Sequence, residues 1–325
     1  MTFNINGERK TFRELLRASF KSDDTEETID VYFTRPIGLA FALLWGQMGV
    51  HPTVITVLGM ALGVAAGCMF YFQDLISNLC GMALLMLANF CDSTDGQMAR
   101  IYNKRSLMGR VLDGFAGDVW FFFIYCGLAF RMMDMPITIF GYESHYYGWA
   151  LCIVAGLMHM SQARLSDYYR QIHLFFLLGK EGSELDNSTA QKEMKDSLPK
   201  LPKEWFAHLF YANYYVYCLA QEKSTPQFQS FYAAVKERYP NPADIPQAMR
   251  DEFRRGSLPL MKWTNALTFN WRAIVCYISC FANIPWLYPL LEVTVFAAIY
   301  TYMHVTHERL CKTMEEKMLC GAWGA

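Results

Sequence analysis

The segment DSTDGQMARIYNKRSLMGRVLDGFAGD, residues 92–118, decides how this chain is read, because it sets Asp92, Asp95, Asp113 and Asp118 around a basic turn between two apolar runs. A charged side chain near the centre of a bilayer costs about 2.5–3.5 kcal/mol on insertion scales. Four carboxylates kept in such surroundings point to a working site. On a helix, Asp92 and Asp95 are three positions apart and share one face, as do Gly109 and Asp113 at four. Two helices joined by the turn can therefore aim several carboxylates into one gap.

Outward from this segment, the chain has 325 residues, 53% of them hydrophobic, and a formal net charge of -1. That balance gives no electrostatic footprint for nucleic acid. The apolar residues gather into runs near the ~20 residues that a membrane helix needs. Six spans are expected, at 54–73, 78–94, 111–130, 148–165, 265–283 and 286–306, giving an all-α membrane bundle. Arg9, Lys10, Arg13, Arg17, Lys21 and Arg35 precede the first span, Arg100, Lys104, Arg105 and Arg110 follow the second, and Arg309, Lys312 and Lys317 follow the last. The alternate connections carry only Arg131. By the positive-inside rule, both termini and the aspartate turn face the cytoplasm of a multi-pass inner-membrane protein.

Four segments are expected. Residues 1–50 form a charged, mobile leader without a cleavable signal peptide, followed by an interfacial helix at RPIGLAFALLWGQ. Residues 51–179 hold four spans, 180–262 a polar helical insertion dispensable for chemistry, and 263–325 the last two spans and a tail. His51-Pro52-Thr53 breaks the chain ahead of the first span, whose Gly59, Gly63 and Gly67 form a packing ridge. Most of the ten cysteines lie inside apolar runs and read as small reduced hydrophobes.

Clustered carboxylates are hard oxygen ligands suited to Mg²⁺, Mn²⁺ or Ca²⁺, and a pair of such ions can clamp a phosphate during displacement. Gly96 leaves the backbone open to a ligand, and Arg100 offers a fixed positive charge to a phosphate oxygen. An EF-hand is excluded by the absence of alternate ligands and a terminal Glu.

The run Asp92-x-x-Asp95-Gly96-x-x-Ala99-Arg100, eight residues, then Gly109-x-x-x-Asp113 resembles the signature of the CDP-alcohol phosphotransferases. The stretch from Pro52 to Thr56 resembles the start of that family's first helix, with Thr53 where the family has Asn. The resemblance does not reach 1–30 or 180–262. It implies attack of an alcohol hydroxyl on the lipid-side phosphorus of a CDP-linked lipid such as CDP-diacylglycerol, with loss of CMP, in phospholipid synthesis. It further implies Asp92, Asp95, Asp113 and Asp118 as ligands of two Mg²⁺ or Mn²⁺ ions, with Asp118 also activating the hydroxyl. Thr56, Gly96, Ala99, Arg100 and Gly109 would lie at the nucleotide, and the protein would be a homodimer.

The last aspartate departs from the pattern. The family ends Asp-x-x-x-Asp, and this chain has Asp113-Gly-Phe-Ala-Gly-Asp118. Four residues set side chains about 40° apart around a helix, and five set them about 140° apart. Either a π turn, eased by Gly114 and Gly117, returns Asp118 to the site, or Gly117 holds the fourth position and Asp118 is stranded on an apolar face.

Arg164, Arg170 and Arg272, near cytoplasmic span ends, are candidates to hold a phosphorylated polyol acceptor, with headgroup snorkelling as the alternative. His304, His307 and Cys311 read as packing groups, and His159 as an interhelical hydrogen-bonding group. Two other function classes fit less well. A CDP-choline or CDP-ethanolamine enzyme would carry more spans, and a cation transporter would show inverted repeats.

Overall fold

The computed structural model describes residues 2–5, 8–20, 22–104, 107–135, 137–139, 142–179, 183, 185–199 and 204–323. Lys21 and Arg105, counted above among the cytoplasmic cations, lie outside these, as do parts of the 180–262 insertion and the side chain of Arg110. The chain divides into two compact units, residues 1–161 with 268–297 and residues 162–267 with 298–325.

The first unit begins with a short antiparallel hairpin, β1 (Thr2–Ile5) and β2 (Glu8–Thr11), and a helix α1 (Phe12–Ala18). Thr11 and Glu14 form a capping box at the start of α1. Ile5 and Leu15 are buried against Leu39 and Leu43 of α2 (Arg35–Gln47). The leader is therefore a packed element and not a mobile one. Arg35 also donates to Glu26 at 2.6 and 2.9 Å and to the Ser19 carbonyl, which folds residues 19–35 back on themselves.

Helix α3 (Pro52–Met69) starts at the proline read from the sequence, with His51 Nδ1 accepting from the Thr53 N–H. Helix α4 (Leu75–Ile101) is capped by Asp74, whose carboxylate accepts the Ser77 N–H at 2.8 Å. That hydrogen bond holds the exposed Asp74 carboxyl below its usual range. Helix α5 is Leu107–Met133. Among the described residues, three helices are long and apolar enough to cross a membrane: Pro52–Met69, Leu75–Ile101 and Val111–Met133. This is a membrane protein. The other expected spans fall on α6 (Tyr147–Leu178), α11 (Phe269–Phe281), and the run formed by α12 (Leu287–Leu291), a π turn (Glu292–Phe296) and α13 (Ala297–Leu319). The 13 residues of α11 rise only about 20 Å, short of the ~30 Å apolar core. A second hairpin, β3 (Ile137–Ile139) and β4 (Tyr142–Ser144), precedes α6.

The glycine ridge on α3 is a packing device. A Cβ on Gly67 would lie 2.6 Å from the Phe123 carbonyl carbon and 2.8 Å from the Ile124 nitrogen, so α3 and α5 touch backbone to backbone. Neither backbone can yield cheaply. Gly67→Ala is expected to destabilise the bundle by roughly 1–3 kcal/mol or more, read as a lowered thermal unfolding midpoint in detergent.

Arg131 corrects the sequence reading of a loop cation. It lies on α5, fully buried, and donates to Asn78 Oδ1 at 2.9 Å, Asn283 Oδ1 at 2.7 Å, and the carbonyls of Phe70 and Cys280 at 3.2 and 3.1 Å. One guanidinium thus ties the end of α3, the start of α4 and the end of α11. Asn283, at φ 53°, takes the left-handed position beyond α11 that Gly or Asn tolerates, and its amide faces the arginine.

Helix α5 also settles the late aspartate. Residues 107–133 form one uninterrupted α-helix, so the π turn expected near Asp118 is not there. Gly114 and Gly117 carry no distortion. Asp118 is exposed on the same stripe as Phe115 and Phe122, three and four residues away, which are also exposed. The chain has π turns elsewhere, at Asp30–Thr34 and Glu292–Phe296.

The second unit contains the C-terminal part of α6, α7 (Ser188–Asp196), α8 (Trp205–Ser224), α9 (Pro226–Arg238), α10 (Gln247–Ala266) and most of α13. Phe176 of α6 stacks on Phe253 of α10 at 4.1 Å and on Phe231 of α9 at 5.7 Å, all three fully buried. His173 bonds Ser257 at 2.7 Å. The insertion is therefore built together with α6 and α13 in this unit. Replacing 180–262 by a flexible linker is expected to strip the cover from Phe176 and yield aggregated protein on size-exclusion chromatography.

Candidate active site

Asp92 and Asp95 project from the C-terminal half of α4, and Asp113 from the first two turns of α5. The structure brings these three together. The Asp92 and Asp113 side chains meet in a hydrogen bond, and the charge of Asp113 also acts on Asp95. Asp95 is buried at 4% exposure and accepts the hydroxyl of Thr56 from α3. Thr56 is thereby tied to the aspartates, and α3, α4 and α5 converge at one end of the bundle.

Arg100 stands one turn past Gly96. A Cβ on Gly96 would meet only the Arg100 guanidinium, at 3.4 Å, so its lack of a side chain leaves space in front of that cation. The Arg100 charge also acts on Asp95. Ala99 lies four residues beyond Asp95 on α4, and Gly109 four before Asp113 on α5, so each shares a face with the carboxylate it neighbours.

Two carboxylates in contact repel unless a proton or a cation lies between them. The donors are carboxylate oxygens converging from two helices, which is the chemistry of a Mg²⁺ or Mn²⁺ site. In donor chemistry the set suits such an ion.

The remaining sequence candidates are placed differently. Arg272 is not presented to a headgroup: it is buried on α11 and bound at both ends of its fork to Glu292, at 2.8 and 3.1 Å. The buried Glu292 stands on the second π turn, and His159 lies beside it at 3.9 Å, bonded to the hydroxyls of Tyr125 and Tyr288. His159 is thus the interhelical group expected. Arg164 and Arg170 belong to the second unit, where Arg170 donates to Asn265 at 2.9 Å. In the same unit His307, Glu308 and Cys311 bring possible ligand atoms within 4.8 Å of one another. His307 is stacked on Tyr169 at 4.1 Å and fully buried, in keeping with a packing role.

The carboxylates, Thr56 and Arg100 converge at one end of the bundle. Residues 49–170 match the model of the CDP-alcohol phosphatidyltransferase family, a match that contains all of these groups. That segment, little more than a third of the chain, is similar to a domain of a transferase family. A search of curated proteins found no match.

Sequence reasoning missed the buried Arg131 and Arg272 networks. It also missed a contact of the N-terminal segment: the Asn270 amide donates to Glu27 at 2.8 Å and to Asp30 at 3.0 Å. No local spacing signals such a meeting, because residues 27 and 270 are neighbours only in the fold.

Proposed function

We propose that this enzyme transfers a phosphatidyl group from CDP-diacylglycerol to a polar alcohol, inositol or inositol phosphate, releasing CMP on the cytoplasmic side of the inner membrane. The convergence of Asp92, Asp95 and Asp113 next to Thr56 and Arg100 carries this reading. In the reaction the acceptor hydroxyl oxygen forms a bond to the lipid-side phosphorus, the bond from that phosphorus to the CMP oxygen breaks, and the hydroxyl proton passes to a carboxylate. Asp92, Asp95 and Asp113 would hold Mg²⁺ or Mn²⁺, which supplies charge neutralisation for the pyrophosphate and the leaving oxygen. The Thr56 hydroxyl fixes the Asp95 carboxylate for that role. Gly96 keeps the approach to Arg100 open, and Arg100 holds a phosphate oxygen of the nucleotide. Asp118 is left out of this set, because a regular helix turns it about 140° from Asp113.

The test is CMP release from CDP-diacylglycerol in mixed micelles, with Mg²⁺ or Mn²⁺, against a panel of alcohols. Release stimulated by inositol or inositol phosphate supports the proposal. Release only with serine, glycerol phosphate or a lipid alcohol corrects the acceptor, and no release with any alcohol rejects the donor.

A further inference from the structure

The last helix carries a set of ligand atoms that the aspartate chemistry does not use. On α13, His307 and Cys311 are four residues apart and share a face, and Glu308 follows His307 directly. Cys311 Sγ lies 3.6 Å from His307 Nδ1, and Glu308 Oε1 lies 4.0 Å from the same nitrogen. Imidazole, thiol and carboxylate thus gather around one point, with all three ligand atoms within 4.8 Å of one another. His307 and Cys311 are fully buried, and the Glu308 side chain is only 12% exposed.

Each group is held from elsewhere in the same unit. The His307 ring stacks on Tyr169 of α6 at 4.1 Å, with Phe228 of α9 and Phe253 of α10 edge-on at 6.3 and 6.2 Å. Stacking occupies the faces of the ring and leaves its in-plane nitrogens for other bonds. The Gln227 N–H, in the first turn of α9, donates to Glu308 Oε2 at 2.9 Å and fixes one carboxylate oxygen. The other, Glu308 Oε1, is buried with no hydrogen-bond partner among the described residues. Buried polar atoms in folded proteins are nearly always paired, so a lone carboxylate oxygen turned towards an imidazole nitrogen and a thiol marks the place of a cation. His304, one turn earlier, is already taken, since its Nδ1 bonds the Tyr169 hydroxyl at 2.5 Å.

Zinc bonds of about 2.0–2.3 Å set the ligand atoms of one tetrahedral ion roughly 3.3–3.6 Å apart. Cys311 and His307 stand at that spacing, which leaves the longer Glu308 side chain to close in. Thiolate and imidazole favour Zn²⁺, whereas the all-oxygen aspartate set favours Mg²⁺ or Mn²⁺. We propose that His307, Glu308 and Cys311 form a Zn²⁺ site with water in the fourth position, distinct in residues and in metal from the aspartate site. On binding, the Cys311 thiol releases its proton to solvent and the ion holds the thiolate. The ion also locks the ring and the carboxylate through which α13 meets α6 and α9. Its role is structural, and it stabilises the folded second unit by binding it.

Untagged full-length protein in nanodiscs, stripped by a chelator and titrated with Co²⁺, tests the site. Co²⁺ on a thiolate gives a charge-transfer band in the near ultraviolet, which an all-carboxylate site lacks. The band is expected to saturate at about one Co²⁺ per chain and to be bleached by Zn²⁺. The thermal midpoint of the stripped protein is expected to rise with Zn²⁺ concentration. Cys311→Ser is expected to abolish the band. Glu308→Gln keeps an oxygen for the Gln227 N–H, should fold by circular dichroism, and is expected to weaken Zn²⁺ binding at least about tenfold, the scale of losing even an outer partner of a metal site. Asp92→Asn and Cys320→Ser are expected to leave the band and the affinity unchanged. A wild-type protein with no band, or with no midpoint shift on adding Zn²⁺, overturns the site. So does a band that survives Cys311→Ser, an unchanged affinity in Glu308→Gln, or an affinity lost in Asp92→Asn, each of which assigns the ion to other residues. Should Cys311→Ser not fold, the Glu308→Gln affinity decides alone.

Discussion

Asp92→Asn or Asp113→Asn is expected to lower CMP release by at least about two orders of magnitude, the scale of losing preorganised charge in a dry site. The two side chains touch, so each amide replaces a charged oxygen donor with a neutral group at the point where α4 meets α5. The helices should remain folded, because relieving repulsion between two carboxylates does not weaken their packing. A loss of turnover with an unchanged thermal midpoint therefore reports on chemistry. Full chelation of divalent cations should have the same effect on the unmodified enzyme. Activity that survives chelation would remove the cation from the mechanism.

Arg131→Ala is expected to abolish folded protein. The substitution leaves Asn78, Asn283 and the carbonyls of Phe70 and Cys280 without their donor inside the bundle, at about 1–3 kcal/mol for each buried unsatisfied group. It also opens a cavity where three helix ends meet. The sum is comparable to the whole stability of a typical domain, roughly 5–15 kcal/mol. Arg131→Lys should not rescue it, since a single ammonium cannot span four acceptors arranged around a planar fork. A melting temperature within a few degrees of the wild type in either variant would show that the tie between α3, α4 and α11 is dispensable.

Helix existence was legible in local sequence wherever periodicity and punctuation agreed. Pro52 starts α3, and RPIGLAFALLWGQ is α2 along its full length. The shared face of Asp92 and Asp95 was legible too, because residues three apart on a helix are neighbours on its surface. Span number was not. Apolar composition marks burial, and burial inside a folded unit looks the same as burial in lipid over a stretch as short as the 13 residues of α11.

The sequence by itself determined the apolar helices, the shared face of Asp92 and Asp95, and the open backbone at Gly96, because each follows from spacing within a turn or two of one helix. The tertiary structure alone decided the rest. A count of five residues from Asp113 to Asp118 fits either a widened turn or a regular helix, and packing of α5 chose the regular one, placing the π turns at Asp30 and Glu292. Arg131 and Arg272 read as surface cations until the fold surrounded them with acceptors drawn from distant segments. Asp30 and Asn270, 240 residues apart, could meet only through long-range packing, which local periodicity does not encode.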